Sequence, residues 1–165
     1  MADLTNLESK LAEVLGLAAA SKAATEKVRT MLDEDEQDLA SILEQMGEQA
    51  AETEQRCTEI AGTFDGKKTA ILDAGRETRQ EAEEMMKTYL ADEEEALDGF
   101  EFLTMAEAGE VGHWAIVKKL NERARNEAVQ GLVEWALPIQ EEHLSAALQN
   151  SLVLAGREDP DEVVE

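Results

Sequence analysis

The stretch EAGEVGH places Glu107, Glu110 and His113 at steps of three. Three-residue steps stack side chains along one side of a helix. The neighbours on that side, Leu103, Trp114 and Val117, are apolar, so the stripe faces a core. A carboxylate there has to be paired, protonated or metal-bound, because an unpaired buried charge is costly. Gln140 and His143, again three apart, hold the same kind of position in the next helical stretch, and the chain has no histidines besides His113 and His143. Carboxylate and imidazole together suit Fe, Mn or Zn.

The elements that would carry these groups read as helices. Ala, Leu, Glu, Gln, Met and Lys dominate, and they are good helix formers. No run alternates with period two for long, so the class is all-α. Apolar stripes predict long helices over about 4–31, 36–62, 93–120 and 126–153, with a weaker amphipathic piece over 67–90 in which Gly75 interrupts the pattern. The last stripe runs through Val129, Leu132, Ala136, Ile139, Gln140, His143, Ala147 and Leu152. FDG at 64–66 and the polar knot NERARN at 121–126 mark turns. Two antiparallel hairpins joined by a crossover helix are one signature of a ferritin-like four-helix bundle. The bundle occupies 1–155, and 156–165, holding Pro160, is an acidic frayed tail.

Counting levels refines the cluster. With the last turn centred near Arg123, Gln140 lies beside Glu107, and His143 lies roughly 6 Å further along the axis at 1.5 Å per residue. His113 lies one to two turns away toward the loop. Pro138 removes a helical hydrogen bond beside this level and predicts a kink. The first helix offers no inward carboxylate here, only Ala20, Ser21, Lys22, Ala23, Ala24 and Thr25. Lys22 could stand in for a metal by pairing with the buried acids.

Charge and cysteine content narrow the function classes. Against 15 Lys and Arg stand 38 Asp and Glu, a formal charge of −23. Such a surface repels nucleic acid and anionic membrane, attracts cations and suits high salt. The basic residues Lys118, Lys119, Arg123 and Arg125 read as counter-charge for a helix end or a dimer contact. The single Cys57 allows no intramolecular disulfide, and its apolar helix position makes it core rather than nucleophile. Trp114 and Trp135 read as packing residues. MADLTNLESK lacks the basic and apolar regions of a signal peptide, and no stretch suits a membrane span, which predicts a cytoplasmic protein. No Gly-rich phosphate loop or G-x-S-x-G elbow is present.

Ferritin-like di-metal proteins take a Glu from each of two helices and Glu-x-x-His from each of two others. Glu110-x-x-His113 matches that pair literally, Gln140-x-x-His143 keeps the His, and Glu52-x-x-Gln55 keeps the Glu. GEQAAETEQRCTEI (47–60) resembles a second-helix pattern with Gln49 in place of His and Glu52-Thr53 retained. GKKTAILDAGRETRQEAEEM (66–85) looks like a crossover helix, EAGEVGHWAIVKKL (107–120) like a Glu-x-x-Glu block, and LPIQEEHLSAAL (137–148) like a closing acidic block with Glu141 or Glu142 as its acid. On these segments, over about residues 10–150, the chain resembles the ferritin-like superfamily and within it the bacterial YciE/YciF stress-protein family.

The resemblance implies a ferritin-like bundle, often dimeric, with a di-iron centre and a stress-response role. The candidate metal ligands are Glu52, Glu107, Glu110, His113 and His143, with Glu141 or Glu142 as alternates. Iron or manganese, as a pair or a single ion, would then handle oxygen, peroxide or iron storage. The alternative is a structural or interaction bundle of the same fold with a lapsed, metal-free site, in which buried polar groups fix helix register.

Overall fold

The computed structural model describes residues 2–92 and 95–163. Five helices account for most of them: α1 Asn6–Arg29, α2 Gln37–Ala61, α3 Lys68–Tyr89, α4 Ala96–Ala124 and α5 Glu127–Ala155. No strand occurs among the described residues. None of their helices is long and apolar enough to cross a membrane. The predicted start of the fourth helix at 93 lies outside the described residues.

Local chemistry sets the helix ends. Thr5 and Glu8 form a capping box at the start of α1, each side chain bonding the other's backbone N–H. The Asn126 side chain accepts from the Val129 N–H and caps α5. Between α4 and α5, Asn121 is buried and clasps the turn: its amide donates to the Asn126 carbonyl, and its Oδ1 accepts from the Asn126 N–H. Arg125, with φ 53°, closes α4 in the left-handed region. The polar knot therefore continues α4 to Ala124 before the chain turns.

Side-chain pairs give the directions of the helices. Glu107 meets Gln140 and Thr104 meets Ser151, so α4 and α5 are antiparallel. Gln49 meets His143 and Glu36 meets Arg157, so α2 and α5 are antiparallel. Ser21 meets Glu107 and Glu13 meets His113, which makes α1 and α4 antiparallel too. With the α1–α2 contact, these close a ring in the order α1, α2, α5, α4, while α3 packs along α1 and touches α2.

Helix α1 therefore has neighbours on three sides, α2, α3 and α4. That explains its thin, alanine-rich pattern: Gly16, Ala18, Ala19, Ala20 and Ala24 are all buried, on more than one face. Small residues let three helices approach one axis. The closest approach joins Gly16 to Gly75 on α3, where an added Cβ at Gly16 would strike the Gly75 carbonyl and come within 2.8 Å of the Thr78 Cβ. Gly75 thus does not interrupt α3, which runs unbroken; it is a crossing point with α1.

Two apolar clusters fill the ring. One holds Leu11, Cys57, Trp114, Val117, Val129 and Val133; the other holds Val28, Leu43, Phe100, Leu103, Ala147 and Leu154. The polar layer of Ser21, Glu107, Glu110, Gln140 and His143 falls between them in sequence on α1, α4 and α5. One residue of the predicted α5 stripe is misplaced. Leu152 is 59% exposed, and Ser151 and Leu154 occupy the inward positions instead. The stripe from His143 through Ala147 steps by four to Ser151, and periodicity overrides the hydropathy of the leucine.

Candidate functional site

Glu107 sits at the centre of the polar layer and is wholly buried. Its two oxygens have separate donors. The Ser21 hydroxyl of α1 donates to Oε1 at 3.0 Å, and the Gln140 amide of α5 donates to Oε2. His143, also buried, lies with Nδ1 3.6 Å from the same Oε2 and Nε2 2.7 Å from Oε1 of Gln49 on α2. With Nε2–H donating to Gln49, Nδ1 is left without a hydrogen-bond partner. All four ring helices thus send side chains into a single connected cluster, α5 two of them.

Glu110, one turn along α4, is also buried but differently placed. It lines a groove between α1, α3 and α4. Burial pushes its carboxyl well above the usual range, the Glu107 charge pushes the same way, and the Ser21 hydroxyl acts against both. That hydroxyl has one proton, and it is directed at Glu107. Cys57 on α2 is buried among apolar side chains. Burial, with the charges of Glu110 and Glu54, pushes its thiol far above the ordinary value, which makes it an inert core group.

The structure gathers Glu107, Glu110 and His143 into one layer and leaves the other candidate ligands elsewhere. His113 is half-exposed: its Nδ1 contacts the Gly109 carbonyl at 2.8 Å, and its Nε2 lies 3.4 Å from Glu13. Glu52 is exposed on α2 and pairs with Arg56 at 2.7 Å. The same Arg56 stacks over the Trp135 ring, 4.1 Å from its centre. Glu141 and Glu142 are exposed on α5. Lys22 is exposed as well and makes no salt bridge to either buried acid, so it does not replace a cation there. Among the described residues, no three His, Cys, Asp or Glu side chains come together as metal ligands.

Ser21 and Gln49 are the members that sequence reasoning did not assign. Ser21 is one of six residues at the right level of α1, and it and Thr25 are the two that carry hydroxyls. Gln49 was visible only as a residue in place of a histidine, and nothing in its spacing names His143 as its partner. No protein-family model matches the chain, and neither curated proteins nor solved structures yield a similar protein.

Proposed function

We propose that this chain is a ferritin-like helical bundle that acts as a structural or interaction protein, with its central Glu/His cluster held by hydrogen bonds in place of metal. The ring of four antiparallel neighbours with α3 as crossover supports the ferritin-like part. The observation that carries the metal-free part is the occupancy of Glu107: both of its oxygens already accept from protein donors. Gln140 presents an amide N–H to the carboxylate, where a metal would require a lone pair. The remaining carboxylates of a di-metal set, Glu52, Glu141 and Glu142, lie on outer faces. The donor set does not fit a carboxylate-bridged pair of ions.

In this reading the cluster specifies register. Polar groups from α1, α2, α4 and α5 must meet at one level, and a slip of any helix would leave a buried polar group without its partner. The test is elemental analysis of chain expressed with iron and manganese supplied, together with thermal melting with and without a chelator. The expected result is well under one metal per chain and an unchanged Tm. One or more ions per chain, lost in Glu107→Gln or His143→Ala and accompanied by a large chelator-induced drop in Tm, would overturn the reading.

A further inference from the structure

Helices α3 and α4 both pack on α1 and leave a groove of about 240 Å³ between them. Its α4 edge runs from Phe102 to His113, which is roughly 16 Å at 1.5 Å per residue. At the Phe102 end, Tyr89 of α3 closes against Phe102 with ring centroids 5.5 Å apart. The walls are Leu17, Ala82, Met85, Met86 and Met105, and Glu110 lines the groove between Ala106 and His113. Met85 and Met105 are 63% and 49% exposed, unusual for side chains that would otherwise pack. Methionine walls adapt to the shape of an apolar guest.

Within this apolar setting Glu110 is 4% exposed, and it shares the Ser21 hydroxyl with Glu107, to which that hydroxyl donates at 3.0 Å. The surroundings are acidic. Glu13 stands beside His113 at one end, and Glu81 and Glu84 border the adjoining surface at the other, on a chain of net charge −23. Such a field draws cations and repels anions.

We propose that this groove binds a small cationic amphiphile, an alkyl- or arylalkyl-ammonium, with its apolar tail between Met85 and Met105 and its ammonium donating to the Glu110 carboxylate. A groove of about 240 Å³ running roughly 16 Å along α4 has room for an extended alkyl tail. The ammonium supplies a compensating charge and a donor that Glu110 does not share with Glu107. The aliphatic part supplies the affinity by leaving water. The proposal rests on the metal-free reading of the cluster, because a metal-bound Glu110 would have no oxygen to offer.

The test uses three ligands that share one tail: octylamine, octanol and octanoate, titrated calorimetrically into the full chain at pH 7.5 in 0.3 M NaCl. Octylamine is expected to bind about tenfold more tightly than octanol, the size of one charge-assisted hydrogen bond, and octanoate is expected not to bind. Glu110→Gln should bring octylamine down to the level of octanol while changing the net charge by only one, which separates the groove from diffuse attraction to an acidic surface. Ala82→Phe fills the groove from the partly exposed face of α3 and should abolish both, so the proposal stays testable if Glu110→Gln folds poorly. Ethylamine, with the charge but little tail, should not bind. Equal binding of amine and alcohol, or octylamine binding that survives Ala82→Phe, would refute it. Metal analysis of the same samples keeps the two readings apart: metal-free chain that does not prefer octylamine sinks this proposal alone, whereas Glu110-dependent metal sinks the reading beneath it.

Discussion

Glu107 and Glu110 lie one turn apart on the same face of α4, both buried, yet they are in opposite situations. Glu107 is held between α1 and α5, with a donor on each oxygen and an imidazole alongside. Glu110 lies where α1, α3 and α4 meet, with Cys57 of α2 on its inner side, and it borders open apolar space. Identical residue type, helix and stripe therefore give one group tied into the ring by donors from α1 and α5 and one that borders an open groove. The difference comes from what the other helices bring to each level.

Removing the enclosed carboxylate should have the largest effect. Glu107→Ala strands Ser21, Gln140 and His143 together, and the expected loss is about 3 kcal/mol or more in chemical denaturation. If Glu107→Ala melts within a degree of the parent, the cluster does not organise the ring. Next comes the close crossing of α1 and α3. Gly16→Val forces a side chain into the Gly75 carbonyl and should cost about 2 kcal/mol, with the loss concentrated in hydrogen-exchange protection of α3. Uniform loss of protection across α2 and α5 instead would mean that α3 is not a separable layer.

The pair differs in pH response too. Glu110 titrates above its ordinary 4.5 in the folded chain, so the folded state holds an extra proton over that interval. Its contribution to stability is fully present below 4.5 and is lost as pH climbs through the folded value. The groups facing it are Glu107 and the Ser21 hydroxyl, with the Cys57 thiol on α2. Comparing Glu110→Gln with the parent from pH 4 upward should therefore show the variant gaining relative stability with pH, then levelling off. A flat difference would place Glu110 in water rather than at the edge of the core.

The sequence carried the helices and their inward faces well, because stripes at helical spacing report burial directly. The Glu107–Gln140 level followed from counting rise, and the structure pairs those residues. What it could not carry was partnership. Glu52 reads as a ligand by its spacing to Gln55, but its outward direction depends on which face of α2 meets α5. Alanines in α1 look like a weak stripe when they mark a helix packed closely on three sides. Ser151 was passed over for Leu152, although it bonds Thr104 at 3.1 Å. In each case the deciding quantity is a contact between distant segments, which local periodicity does not encode.

His113 gives the smallest expected effect and the sharpest separation of the two readings of EAGEVGH. In a di-metal centre it would complete Glu-x-x-His with Glu110, and its loss would remove a ligand and destabilise the layer as the loss of Glu107 does. In the structure it is at the groove's end, half-exposed, with Glu13 3.4 Å away. Such a partly exposed pair contributes little, about 0.5 kcal/mol at most. His113→Ala should therefore shift the denaturation midpoint barely at all, while His143→Ala, which empties a buried position and strands Gln49, should cost about 2 kcal/mol. Equal and large losses for the two histidines would show that both act at one centre, and the contrast between the closed and open sides of α4 would not hold.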